Sequence, residues 1–343
     1  MKIFLQHKYE DLVSIDNLLL AWQEFVKGKR NKPDVQEFQL FLMDNILSLH
    51  KDLINFNYKH GAYNQFKIND PKPRDIHKAS VRDRLLHHAI YRILYPFFDK
   101  KFIGDSFSCR KNKGTHKALK RFKKFGCIVS KNNTKTCHIL KCDIKKFFAS
   151  VDQNILINIL KENIQDKDII NLLQEIIFSF EKGLPLGNLT SQLFANVYLN
   201  EFDQFVKHKL KAMHYIRYAD DFVIFSQDKK YLESLIPQMR DFLQSELRLT
   251  LHPDKVFIKT LASGMDFLGW VNFFDHRVLR TATKKRMFRK LKNNPGKDAL
   301  NSYFGILKHG NCRQIFNFLL PKISQWNFFL TRLDLFFVGG KIY

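Results

Sequence analysis

The spacing of apolar residues in the N-terminal part of the chain is that of amphipathic helices. Apolar residues recur every three or four positions from Leu12 to Trp22, and a second run of this kind extends from Val35 to Leu53. The pattern changes at Tyr63, where apolar and polar residues alternate singly as far as Ile68. Such alternation is typical of a strand. Residues 69–74 then predict a turn, and helical spacing returns at Val81.

The rest of the chain predicts strands mixed with helices. A short apolar strand begins at His138 and ends in the acid Asp143. A loop rich in Gly and Pro precedes a long helix that begins near Asn188, and further short strands follow residue 248. Helices are predicted over about 149–164, 166–180, 188–210, 231–247 and 284–292, with two more over 296–337.

Two adjacent carboxylates stand at the tip of a predicted hairpin, Tyr218-Ala219-Asp220-Asp221. Each flanking run is β-branched or aromatic, as strands prefer, whereas Asp is depleted in strands and like charges repel. Taken alone, an Asp-Asp pair is more often a solvated turn. When such a pair lies beside apolar strands, a bound divalent cation usually offsets the repulsion between the carboxylates, since Mg²⁺ prefers carboxylate oxygens. Asp143 would be the third carboxylate, if the fold returns the chain to it.

The charge of the chain changes the picture further. Its 343 residues include 57 Lys and Arg against 33 Asp and Glu, a formal net charge of +24, which favours a polyanionic partner. Bases interleaved with Phe between Lys101 and Lys124 fit a groove that follows a nucleic-acid backbone, and a second basic run begins at Lys284. The predicted RNA-binding residues are Arg110, Lys113, Lys117, Lys120, Arg121, Lys285 and Arg289.

Other compartments and cofactors are disfavoured. The chain has no run of about 18 apolar residues, and its N-terminal residues do not resemble a signal peptide, so no membrane partner is expected. The five cysteines show no metal-type pairing and are interpreted as reduced thiols of a cytoplasmic protein.

Four ordered motifs together resemble the reverse transcriptase series. They begin at Asp143 (DIKKFF), Gly187 (GNLTSQ), Tyr218 (YADD) and Phe267 (FLGW). Within that superfamily the chain looks most like the enzymes of diversity-generating retroelements, which are related to group II intron and retron enzymes. Ser191-Gln192 stands where most reverse transcriptases have Ser-Pro, Leu186 stands where most have Gln, and residues 301–311 resemble that group's thumb segment.

The resemblance implies an α+β fold of the right-hand polymerase type, with fingers, a palm built on an antiparallel sheet, and thumb helices. The expected division is 1–135 for N-terminal helices and fingers, 136–165 for palm, 166–187 for the fingers/palm connection, 188–270 for palm and 271–343 for thumb.

The resemblance also implies two-metal phosphoryl transfer, with two Mg²⁺ ions and Mn²⁺ as an alternative ion. Asp143 and Asp220 would bridge both ions, Asp221 would assist, and the carbonyl of Ile144 is an expected further ligand. Lys255 matches a lysine that acts as general acid to the pyrophosphate.

Two further groups of residues are assigned by the resemblance to the nucleotide and the primer. Lys72 and Arg74 match the residues that hold the triphosphate, and Phe148 matches the steric gate that rejects a ribose 2′-hydroxyl. Leu186 and Gly187 are expected beside the incoming nucleotide. The primer grip would be Phe267, Leu268, Gly269 and Trp270.

The function implied is RNA-directed DNA synthesis on a structured template RNA, error-prone at template adenines, for mutagenic retrohoming. The partners implied are that RNA, the RNA/cDNA duplex, dNTPs and a small basic (Avd-like) accessory protein. A defence reverse transcriptase that copies a dedicated non-coding RNA is the alternative, and a catalytically dead RNA-binding scaffold is disfavoured by the three intact aspartates.

Overall fold

The chain divides into two compact units in a computed structural model that describes residues 3–69, 73–292 and 297–315. The first unit contains the residues up to Phe122 together with Leu140–Ile258. The second contains Lys123–Ile139 and the residues from Lys259 onward. The division into fingers, palm and thumb remains a prediction about the lobes of a polymerase.

Thirteen α-helices lie in the described part of the chain, and several begin where a side chain satisfies the free backbone N–H groups of the first turn. Ser14, Ser80, Asp152, Asp166 and Asp228 accept such hydrogen bonds. The helices are α1 Tyr9–Val13, α2 Ile15–Phe25, α3 Pro33–Leu40, α4 Leu42–Ile54, α5 Val81–Asp99, α6 Thr115–Val129, α7 Phe147–Ser150, α8 Gln153–Lys161, α9 Lys167–Phe178, α10 Leu189–Gln204, α11 Lys229–Leu247, α12 Thr281–Lys292 and α13 Lys297–Leu307.

Nine strands form three sheets among the described residues. A hairpin pairs β1 with β2, a central sheet has the order β4-β5-β3-β6, and the second unit contains an antiparallel sheet in the order β7-β8-β9. The strands are β1 Asn64–Ile68, β2 Arg74–Lys78, β3 His138–Asp143, β4 Tyr215–Tyr218, β5 Asp221–Ser226, β6 Phe257–Thr260, β7 Met265–Phe267, β8 Trp270–Asn272 and β9 Arg277–Leu279.

The core of the first unit is built around α5 and α10, which pack against each other. Helix α10 is buried on nearly every side and therefore carries few charged residues. The mixture of helices with antiparallel sheets confirms the predicted α+β class.

Three predicted helices differ from the structure in their limits. The helix expected over about 149–164 is interrupted at Val151, because Asp152 caps a new helix, α8. The run from Val35 to Leu53 forms two helices that meet at Phe41, and α10 ends at Gln204 in a π-helical turn. Most of the two helices expected over 296–337 lies outside the described residues. The described part of this range contains α13.

Candidate active site

The hairpin formed by β4 and β5 carries the paired carboxylates at its tip. Tyr218 pairs with Asp221, so that only Ala219 and Asp220 form the turn. Ala219 has a φ of 55°, in the left-handed region, which costs a residue with a Cβ roughly 1 kcal/mol or more. The tight turn therefore places Asp220 and Asp221 at one end of the central sheet.

Asp143 reaches the same place from the end of β3. The N–H of Ile144 donates to the carbonyl of Asp220 at 3.2 Å. On the other side, the N–H of His252 donates to the carbonyl of Asp143 at 2.8 Å. The residues after β3 thus lie between the hairpin tip and the segment that includes His252. The fold thus brings the end of β3, with Asp143, beside the hairpin tip that carries Asp220 and Asp221.

Burial and mutual repulsion disfavour the ionised forms of the two hairpin acids. Burial raises the pKa of Asp220, and the negative charge of Asp143 raises it further. Burial likewise raises the pKa of Asp221 to about 7, although the ammonium of Lys141 opposes this shift. One oxygen of Asp221, Oδ1, is buried without a hydrogen-bond partner. Burial and the neighbouring negative charges therefore outweigh the positive charge of the nearby lysines.

A hard divalent cation fits this set of oxygens. Mg²⁺ is commonly bound through one or two carboxylates together with oxygens of the substrate, rather than by a cage made only of protein. In the described part of the chain, no group of three or more His, Cys, Asp or Glu residues is arranged to hold a metal ion by itself, so oxygens of the substrate would have to complete such a site. Asp143, Asp220 and Asp221 are the residues that would hold such ions.

Two lysines pair with the acids, and only one of them was predicted. The ammonium of Lys255 lies 3.0 Å from Oδ1 of Asp143, and that of Lys141 lies 3.4 Å from Oδ2 of Asp221. Lys141 could have been found from the sequence, because residues two apart on a strand share a face, and Lys141 precedes Asp143 by two. The roles of Lys255 and of the Ile144 carbonyl remain predictions.

The residues predicted to meet the nucleotide are connected through the β1–β2 hairpin. Arg74 is exposed at the start of β2, opposite Ile68, whereas Lys72 lies outside the described residues. Further along β2, the N–H of His77 donates to the carbonyl of Leu186 at 2.9 Å. The side-chain amide of Asn188 donates to the carbonyl of His77 at 3.2 Å. Hydrogen bonds to backbone groups thus connect the β1–β2 hairpin to residues 186–188 of the loop 183–188.

Two glycines allow this loop to approach its neighbours. Gly187 has a φ of 116°, and a Cβ there would lie 2.9 Å from Cγ2 of Ile76. Gly183 has a φ of 72°, and a Cβ there would lie 2.3 Å from the carbonyl oxygen of Phe148, which also accepts a hydrogen bond from Leu184 at 2.7 Å. The loop therefore joins Phe148 to the hairpin. No pattern in the sequence indicated this role of Gly183.

The predicted primer grip lies in the second unit and is a hairpin of its own. Phe267 pairs with Trp270, while Leu268 and Gly269 both have positive φ angles, 53° and 84°, as two-residue hairpin turns of the primed type require. A Cβ on Gly310 would lie 2.0 Å from the Trp270 ring, so only glycine allows that contact.

Comparison with known proteins decides the family. The family model described as "Reverse transcriptase (RNA-dependent DNA polymerase)" matches residues 66–271. This range includes the three aspartates, the loop 183–188 and the turn between β7 and β8. The chain belongs to the reverse transcriptase family. Its membership, together with the antiparallel sheets and surrounding helices, agrees with the predicted right-hand polymerase fold.

The curated reverse transcriptase relatives include intron-encoded and retron proteins. Protein YkfC of Escherichia coli is 24% identical over 272 residues, covering 67% of this chain and 69% of YkfC. LtrA, a group II intron-encoded protein of Lactococcus lactis, is 24% identical, covering 64% of this chain and 47% of LtrA. Retron Ec73 reverse transcriptase of Escherichia coli is 31% identical over 109 residues, which is 28% of this chain and 34% of that enzyme. The match to LtrA thus spans less than half of LtrA.

The basic residues predicted to bind RNA have several different environments. Arg121 pairs with Asp105, and the ammonium groups of Lys113 and Lys117 donate to backbone carbonyls. Lys120 is exposed on α6, and α12 in the second unit exposes Lys285 and Arg289. That the exposed residues Lys120, Lys285 and Arg289 bind RNA remains a prediction.

Arg110 requires a correction. Its side chain is 5% exposed, and its guanidinium donates to Asp99 Oδ1 at 2.7 Å and to the carbonyls of Asp99, Ile103 and Ser106. A guanidinium whose donors are used inside the fold is not available to a phosphate. The prediction that Arg110 binds RNA is therefore wrong.

No helix among the described residues is long and apolar enough to cross a membrane.

Asp221 gives a prediction for stability. Because its folded pKa is raised from about 4 to about 7, the stability it contributes is fully present below about pH 4 and is lost as pH rises through 7. We expect Asp221→Asn, which cannot ionise, to melt several degrees higher than the parent at pH 8 in EDTA, with this advantage decreasing toward pH 5. Asp254→Asn, at an exposed acid, is the control, and an equal difference at both pH values would contradict the prediction.

Proposed function

We propose that this chain is an RNA-directed DNA polymerase in which Asp143, Asp220 and Asp221 form the catalytic centre. The observation that carries the proposal is the proximity of these acids: the N–H of Ile144 donates to the carbonyl of Asp220, and the partly buried carboxylates of Asp220 and Asp221 have raised pKa values. When bound there, two Mg²⁺ ions supply the charge that activates the primer 3′-hydroxyl and stabilises the leaving pyrophosphate.

The other residues of the site have distinct tasks in this proposal. Lys255, which pairs with Asp143, gives a proton to the pyrophosphate as it leaves in this proposal. Arg74, exposed on the β1–β2 hairpin, binds the triphosphate, because a guanidinium forms two parallel hydrogen bonds to phosphate oxygens. Phe148 lies against the 2′ position of the sugar and excludes a hydroxyl there.

Primer extension tests the proposal directly. The purified protein is given a DNA primer annealed to a defined RNA template, dNTPs and Mg²⁺, and the products are separated by length. Full-length cDNA that depends on both dNTPs and the divalent ion is the expected result. Failure to extend the primer on RNA and on DNA templates alike, by a protein that is folded and binds the duplex, would overturn the proposal and leave an RNA-binding scaffold.

We further propose that the enzyme serves mutagenic retrohoming, misincorporating opposite template adenine. Leu186 supports this, because an apolar side chain stands where a glutamine would make polar contact with the incoming nucleotide. Selection then depends more on shape than on hydrogen bonding. A structured template RNA and a small basic accessory protein are the partners in this proposal.

Leu186→Gln tests the error-prone character. We expect the variant to make several-fold fewer substitutions at template adenines than the parent, while its errors at the other bases change little. The measurement is deep sequencing of cDNA copied from one template, with Leu186→Met as the apolar control. An unchanged spectrum would contradict the proposal.

Sequencing of co-purified RNA separates retrohoming, in which a template repeat is recovered, from defence, in which a dedicated non-coding RNA is recovered.

A further inference from the structure

A fully buried ion pair lies directly behind the hairpin that carries Asp220. Arg217, on β4, has a side-chain exposure of 0%, as does its partner Asp203 on α10. Two parallel hydrogen bonds of 2.7 Å join Nε and Nη2 of the guanidinium to the two oxygens of the carboxylate. This bidentate arrangement fixes the plane of the guanidinium as well as its position.

The third nitrogen of this guanidinium, Nη1, reaches the turn. Nη1 of Arg217 donates to the carbonyl of Ala219 at 3.2 Å and to Oδ1 of Asn196 at 3.2 Å. Asn196 and Asp203 are seven residues apart on α10, about two turns, and so lie on the same face of that helix. Helix α10 therefore holds the hairpin turn through one arginine.

The bond to Ala219 acts on the orientation of Asp220. The carbonyl of Ala219 belongs to the peptide plane that precedes the Cα of Asp220, and Ala219 has the unfavourable positive φ of 55°. A donor fixed behind this carbonyl holds that plane, and with it the direction in which the Asp220 side chain leaves the backbone. The backbone of Arg217 is itself fixed, because its N–H donates to the carbonyl of Asp105 and its C=O accepts from the N–H of Phe107.

We propose that Arg217, held by Asp203, is a positioning residue that sets the orientation of Asp220 for catalysis. The inference rests on the proposed polymerase function. A buried ion pair is a weak source of stability, because desolvation cancels much of the attraction, and apolar pairs of similar size often stabilise a protein as well or better. The specific contribution of this pair is the hydrogen bond to the turn.

A variant that removes the pair without leaving a buried charge provides the test. Asp203→Leu and Arg217→Met are combined with Tyr215→Phe, because the hydroxyl of Tyr215 donates to Asp203 at 2.7 Å and would otherwise lose its acceptor. Tyr215→Phe alone is the matched control, since it alters the same buried site and leaves the contact with Ala219 intact. Melting temperature and circular dichroism establish that each variant is folded.

The expected result is a division between kcat and KM. The triple variant should lose about 10- to 100-fold in kcat for single-nucleotide addition, with KM for dNTP within about threefold of the parent, because a displacement of about 1 Å at a reacting group has costs of this size. Tyr215→Phe should keep kcat within about threefold. Hydrogen exchange should become faster at residues 218–221 in the triple variant but not in the control.

Other results would overturn the inference. A folded triple variant with the kcat of Tyr215→Phe means that Arg217 has only a structural role. If the triple variant does not fold, Arg217→Lys decides, because lysine keeps the charge but cannot hold Asp203 with two bonds and Ala219 with a third. An Arg217→Lys variant with normal kcat and normal exchange at the turn would also overturn it. A parent protein that extends no primer refutes the proposed function instead, and exchange at the turn then remains the readout for the contact.

Discussion

Replacing Asp220 by asparagine should lower the rate of cDNA synthesis by at least about 10³-fold. The amide has nearly the shape of the carboxylate but not its charge, and charge at the reacting centre is the largest source of catalysis in phosphoryl transfer. Asp220 is held where it can act with Asp143, because its carbonyl accepts a hydrogen bond from the residue that follows Asp143. A loss of this size is expected in the rate of the first nucleotide addition, measured under single-turnover conditions.

Asp254→Asn is the matched control for this experiment. Asp254 is 87% exposed and lies one residue from Lys255, so that the substitution makes the same chemical change near the site without altering its interior. Its rate should equal that of the parent. A rate for Asp220→Asn above about a tenth of the parental rate, in a protein with parental melting behaviour, would remove Asp220 from the catalytic centre.

The local parts of the site could be predicted from the sequence because local rules determine them. The alternation of strand residues and the short link between them predict the β4–β5 hairpin, and the turn places Asp220 and Asp221 at its tip. The motif order predicted that Asp143 would join them. Hydrogen bonds on both sides of Asp143 then provide the contact that no pattern along the chain could supply.

Long-range pairs could not be predicted in this way. Asp203 and Arg217 are separated by the end of α10, a π-helical turn and the start of β4, and nothing in their spacing indicates that they meet. An arginine within an apolar strand, just before an acidic turn, was nevertheless a signal, because a charged side chain that becomes buried there requires a partner. Lys141 gave a similar signal through its position two residues before Asp143.

Arg110 shows the opposite error, in which local composition suggested a surface that the fold does not provide. The segment around it is rich in bases, and the sequence alone cannot separate an arginine that faces RNA from one that binds backbone carbonyls. Arg110 does the latter, because Asp99 at the end of α5 lies within hydrogen-bond distance. The glycines behave similarly, since only the structure shows that Gly183 and Gly310 allow close contacts with Phe148 and Trp270.

Phe148 should control the choice between deoxyribonucleotides and ribonucleotides. Its backbone is fixed, because its carbonyl accepts from Leu184 at 2.7 Å and Gly183 packs directly against it. Its ring contacts Phe147 edge-on, with centroids 5.3 Å apart, and is half-buried. We therefore expect the ring to reject a ribonucleotide by a steric clash with its extra hydroxyl rather than by a missing attraction.

Phe148→Ala should therefore raise kcat/KM for a ribonucleotide, relative to the matching deoxyribonucleotide, by about 100-fold. Incorporation of the deoxyribonucleotide should fall only several-fold, because the contacts of the triphosphate and the base are unchanged. Single-nucleotide addition with dCTP and CTP on one primer–template measures both constants. Phe178→Ala, at an exposed ring on α9, should leave the ratio unchanged. If Phe148→Ala lowers the rates for both nucleotides equally, the ring supports the loop 183–188 and is not a gate, and sugar selection must come from another residue that contacts the nucleotide.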